Sequence, residues 1–63
     1  MSISVRDRVL ISDLNNKVIG KGMVINYNIF REPGMEYAVV FDGDVEVYFV
    51  GENQLEKLYV EAN

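Results

Sequence analysis

Residues 37–50 read YAVVFDGDVEVYFV, two β-rich runs on either side of Asp42-Gly43-Asp44. In Tyr37–Phe41 the residues Tyr37, Val39 and Phe41 alternate with Ala38 and Val40, the period of a strand with two distinct faces. An Asp-Gly pair suits the positive-φ positions of a primed hairpin turn. The second run is therefore expected to return as the antiparallel partner of the first. Val45, Val47 and Phe49 are read as lying on one side, with Glu46, Tyr48 and Val50 opposite, and Gly51 ends the strand.

Working outward, the same two-residue period recurs. In VRDRVLIS, Val5, Val9 and Ile11 fall on one side and Arg6 and Arg8 on the other, as in a half-buried strand. SDLNNK (Ser12–Lys17) is a turn cluster whose asparagines tolerate left-handed backbone. GKGMVINYN (residues 20–28) reads as a strand entered through a tight or bulged start. After Gly51, Leu55 and Leu58 stand three apart in ENQLEKLYV. A single 3₁₀ turn fits there, followed by a short last strand over Lys57–Val60 and a frayed tail over Glu61–Asn63.

Five short strands must protect their edges, so the predicted fold is all-β: a small five-stranded antiparallel barrel of SH3-like topology. The predicted core is Val5, Val9, Ile11, Val24, Ile25, Tyr37, Val39, Phe41, Val47, Phe49, Leu55 and Leu58. The chain of 63 residues reads as one domain, ordered over residues 4–60. A chain this short buries only about 60% of its unfolded surface, so its stability is expected to be a few kcal/mol.

One segment breaks the pattern. In NIFREPGMEY (Asn28–Tyr37), Ile29 and Phe30 are followed at once by Arg31, Glu32, Pro33 and Gly34, which cannot continue a strand. The strands already supply a core. The loop is therefore expected to carry a partner-binding site, with Phe30 folded partly over the barrel end, Ile29 reachable, Met35 beside them and Arg31 as polar rim.

Composition narrows the chemistry. The chain has no cysteine and no histidine. That removes disulfides, thiolate or imidazole metal sites, and Cys–His or Ser–His–Asp catalysis. Asp42, Asp44 and Glu46 lack the ligand spacing of a calcium loop, and turn chemistry with strand solubility accounts for them. Gly20-Lys21-Gly22 lacks the Lys-Ser/Thr ending of a phosphate loop. No metal and no cofactor are expected. So small a barrel has little room for a pocket of a few hundred Å³, and the remaining acid–base groups fall on exposed faces, so no enzyme is expected. No apolar run approaches the roughly 20 residues of a membrane span, and no signal peptide is read at the N-terminus; a cytoplasmic protein is the expectation.

Net charge is −4, divided as +3 over residues 1–31 and −7 over residues 32–63. The acidic half disfavours general binding to a phosphate backbone. Seven aromatics (four Tyr, three Phe) are many for this length, and alternation leaves Tyr48 or Tyr59 partly exposed.

Several of these pieces resemble bacterial SH3-like and Tudor-like barrels. Val5-Arg6-Asp7-Arg8-Val9 is similar to their V-G-D-x-V opening strand, with Arg6 where the pattern has glycine. Gly20-Lys21-Gly22-Met23-Val24 resembles a G-x-G-x-V entry, and Tyr37–Phe41 a Y-x-V-x-F third strand. Leu55-Glu56-Lys57-Leu58 resembles the L-E-K-L close of the C-terminal Tudor-like domains of UvrD/PcrA helicases, and the RNA-polymerase-interacting domains of CarD and transcription-repair coupling factors. The resemblance implies a non-enzymatic module that docks on a larger protein, with RNA polymerase or another transcription or repair component as the expected partner. Ile29, Phe30, Arg31, Met35 and Tyr48 are the expected partner-binding residues. The alternatives are a nucleic-acid-binding barrel using Arg6, Arg8, Lys17, Lys21 and Arg31, or a small structural subunit of a larger assembly.

Overall fold

The structure, a computed structural model, describes residues 2–59. Five antiparallel strands, β1 (Arg8–Ser12), β2 (Val18–Tyr27), β3 (Tyr37–Phe41), β4 (Val47–Val50) and β5 (Leu55–Lys57), form one sheet in the order β4-β3-β2-β1-β5. A 3₁₀ turn over Glu52–Gln54 precedes β5. The chain is thus all-β, with the 3₁₀ turn where the sequence placed it. Among the described residues the two ends of the ladder, β4 and β5, do not pair, so the sheet is open. The last strand starts two residues earlier than expected; Val60 and Glu61–Asn63 lie outside the described residues.

The core sits on one face of the sheet. Val9, Ile11, Val24 and Val39 are fully buried, and Tyr37 and Val50 close the cluster. Ile3, Phe41 and Leu55 pack against its margin. Directly opposed residues of an antiparallel pair share a face. Val24, Val39 and Tyr48 therefore make one inward row, and Tyr27, Tyr37 and Val50 the next. Each buried Val or Ile contributes about 1.5–3 kcal/mol, which makes this small cluster the main stabilising term.

Several core assignments need correction. Val5 lies in a turn before β1, and Val5, Ile25, Val47 and Phe49 are all exposed. Ile25 is the extra residue of a bulge, where the β2–β3 register shifts between Val24 and Asn26. Leu58 is half-buried, its N–H donating to the Arg8 carbonyl at 2.8 Å. In β4 the phase is reversed: Val50 is inside and Val47 and Phe49 are outside, because Val39 faces Tyr48 and Tyr37 faces Val50. The turn also differs. Asp44 N–H bonds the Phe41 carbonyl at 3.0 Å, and only Gly43 of the central pair has positive φ (80°), as in a type II turn rather than a primed one. Asp44 Oδ1 then accepts from the Val45 and Glu46 amides, which delays β4 until Val47.

The long strand β2 serves both halves of the sheet, pairing with β1 through its first part and with β3 through its second. The two pairings overlap at Gly22 and Met23, and Gly22 lies between Val9 and Phe41. A Cβ on Gly22 would come within 2.0 Å of the Val40 carbonyl oxygen, so only glycine fits. The bulged entry does occur, just upstream: the β1–β2 register shifts between Ile11 and Ser12, opposite Val18–Gly20.

Candidate functional site

The loop between β2 and β3 is built rather than slack. Asn28 Oδ1 accepts from the Phe30 amide at 2.9 Å, and the Asn28 carbonyl accepts from the Arg31 amide at 3.2 Å. Asn28 N–H in turn reaches the Glu36 carbonyl at 2.9 Å, closing the loop at its base. Pro33-Gly34 makes a second turn, in which Met35 N–H bonds the Glu32 carbonyl at 2.9 Å and Gly34 has φ +88°. Glu36 Oε1 accepts from the Gly34 amide at 3.1 Å.

Arg31 fastens this loop to the sheet. Its guanidinium donates to the Glu36 carbonyl (2.7 Å) and to Asn26 Oδ1 (2.6 Å), and lies 4.8 Å from the centre of the Phe49 ring. Asn26, Ala38 and Phe49 are consecutive partners across β2, β3 and β4 on the outer face. The guanidinium therefore spans that row, which accounts for the burial of Ala38 on the face away from the core. Arg31 is an internal clamp more than a polar rim.

The clamp leaves the tip exposed. Phe30 is 93% exposed and Ile29 66%, so Ile29 is reachable as expected, whereas the expectation that Phe30 folds over the end of the barrel is wrong. Met35 is exposed on the same loop. Tyr48 is not part of this group: it stands opposite Val39 on β4, with its ring edge-on to Phe41 at 5.3 Å. Glu46 and Asp44 raise its pKa above the usual phenol range.

Beside the loop lies an open cleft of about 360 Å³, bounded by Tyr27, Ile29, Glu36, Tyr37 and Glu52 together with Gly34, Gly51 and Asn53. The rings of Tyr27 and Tyr37 are 4.8 Å apart and inclined at 51°. The phenol of Tyr37 is held above its ordinary pKa, first by burial and then by the charges of Glu52, Tyr27 and Glu36. A second open groove, of about 600 Å³, runs along β5 and is bounded by Ile3, Leu55 and Tyr59 with Glu52, Asn53, Glu56 and Lys57. Lys57 is turned toward Asp7 (3.4 Å) and the Tyr59 ring (5.5 Å). The expectation that so small a chain has no depression of this size is therefore wrong. Because the sheet is not closed by β4–β5 pairing, its ends open into clefts. Sequence reasoning missed Tyr27, Glu36 and Glu52 as a group; only the Tyr27–Tyr37 register brings them together.

Of the five basic residues of the nucleic-acid alternative, Arg8 and Lys21 both act on Asp42, and Arg31 is tied into the loop. Arg8 makes a two-pronged ion pair with Asp42, whose carboxylate is held below its usual pKa chiefly by that hydrogen bond. Lys21 is on the outer face opposite Leu10, Lys17 ends the Asp13 turn, Arg6 lies in the N-terminal turn, and Arg31 is the loop clamp. Among the described residues no three Asp or Glu side chains are grouped as metal ligands, and no helix is long and apolar enough to cross a membrane. No family model, curated protein or solved structure matches this chain.

Proposed function

We propose that this chain is a non-enzymatic docking module that binds a larger protein through the tip of the Asn28–Glu36 loop. The observation that carries the reading is the pairing of a hydrogen-bonded, clamped backbone with a phenylalanine that is 93% exposed. A free aromatic on a slack loop loses much of its contact energy to ordering on binding; one held in place is pre-organised. Phe30 is the anchor, and Ile29 and Met35 extend the apolar contact. The order β5-β1-β2-β3-β4, with a 3₁₀ turn before the last strand, supports an SH3-like reading of the open sheet. RNA polymerase is the first partner to test, on the resemblance of the strand motifs.

The test is affinity capture from the native cell with wild type and an Ile29→Ala/Phe30→Ala double variant. Both side chains are exposed, so the variant should keep the wild-type fold by circular dichroism. Loss of the captured partner, by tenfold or more, is expected. Equal recovery by the folded double variant would overturn the reading.

A further inference from the structure

The cleft beside the docking loop combines three properties. It has an aromatic wall, because Tyr27 pairs with Tyr37 across β2 and β3 and Tyr27 stays exposed on its outer side. It has two carboxylates, Glu36 and Glu52, and no basic side chain among its lining residues. It is also continuous with the loop, since Ile29 forms part of its rim.

Neither carboxylate of the cleft is in an ion pair. The two ion pairs among the described residues, Asp42 with Arg8 and Asp7 with Lys57, lie elsewhere. Glu36 takes only a backbone amide, from Gly34. The phenol pKa of Tyr37 is raised first by burial and next by the charge of Glu52, whose carboxylate also hydrogen-bonds it, with Tyr27 and Glu36 adding to the effect.

A planar cation suits this lining better than a point charge. Guanidinium can stack on a tyrosine face while its forked N–H groups reach carboxylates to the side, whereas ammonium is more strongly hydrated and has no plane to stack. On its opposite face the chain already places a guanidinium over an aromatic ring: Arg31 lies over Phe49 and donates to the Asn26 side-chain oxygen and the Glu36 backbone carbonyl.

We propose that the Tyr27–Tyr37–Glu36–Glu52 cleft receives an arginine side chain of the partner protein, next to the apolar contact made by the loop. This rests on the docking reading and gives it a charge requirement: the bound segment pairs an apolar pocket for Phe30 with a nearby arginine.

The probe is Nα-acetyl-arginine amide, titrated into the ¹⁵N-labelled full chain and followed by amide chemical shifts. Saturable shifts are expected at Tyr27, Glu36, Gly51 and Glu52, with a dissociation constant in the range of about 1–10 mM for so small a ligand. The neutral isostere Nα-acetyl-citrulline amide should bind at least tenfold more weakly. Glu52→Gln and Tyr27→Leu should each weaken the arginine probe about fivefold or more, and Tyr27→Leu keeps an apolar side chain in place should full truncation disturb β2. Equal binding of the citrulline probe, shifts centred away from the cleft, or no saturable shift would overturn the proposal. Binding of Nα-acetyl-lysine amide as tight as arginine would overturn the assignment to a guanidinium. The titration needs no partner protein, so it fails or succeeds independently of the capture experiment.

Discussion

Arg6 holds a left-handed conformation, φ 78°, at the third position of a turn in which Asp7 N–H bonds the Ser4 carbonyl at 3.1 Å. A side chain at positive φ is strained, and glycine is the residue that adopts it freely. The V-G-D-x-V pattern has glycine there; this chain keeps the turn with arginine in its place. Two bonds hold it: Arg6 N–H to the Val24 carbonyl (2.7 Å) and Val24 N–H to the Asp7 carbonyl (3.0 Å). Arg6→Gly should therefore stabilise the fold by about 1 kcal/mol, the relief of strain outweighing the added freedom of the unfolded chain. Urea unfolding checks this: the midpoint should rise with an unchanged slope. A lower midpoint would mean the arginine side chain earns its position through contacts of its own. Phe30 is the opposite case at this scale, a residue whose backbone is fixed while its side chain touches almost nothing.

Among the elements, β2 depends most on a single atom that is missing. Gly22→Ala sets a methyl 2.0 Å from the Val40 carbonyl oxygen and 2.9 Å from the Phe41 Cα, and backbone cannot yield as a side-chain tip can. The substitution should cost about 3 kcal/mol or more, most of the stability of a domain this small. Loss of the cooperative thermal transition is the expected readout; a variant that melts like wild type would show that β2 and β3 do not approach at Gly22 as described. The glycine was legible in the sequence, but as a bulge signal, since close approach of two strands leaves no mark on the local pattern. The strands themselves were legible for the reason that period-2 alternation reports a face. Val9, Ile11, Val24, Tyr37 and Val39 were placed inside and are buried. The phase of β4 was not legible, because Tyr48-Phe49-Val50 is apolar at three successive positions and fits either phase. Pairing decides it: a partner of Tyr37 must face inward, and that partner is Val50. In the loop, Ile29 was legible as exposed, but the clamp that exposes Phe30 depends on Asn26, Ala38 and Phe49 meeting across three strands.

Taken as a whole, the molecule has one face that makes the core and an end where the open sheet, the clamped loop and the acidic cleft adjoin. The −7 charge of residues 32–63 lies partly there, through Glu36 and Glu52, while Arg8 and Arg31 of the first half bond within the chain. This favours a partner surface that is apolar and basic over a phosphate backbone. The docking reading requires the loop to be a rigid part of the fold, and backbone ¹⁵N relaxation measures that directly. Order parameters for Ile29–Met35 should match those of β3, near about 0.85. Values below about 0.6 across the loop, with β3 rigid, would contradict the account: Phe30 would then be carried on a flexible tether, and its exposure would no longer mark a pre-organised anchor.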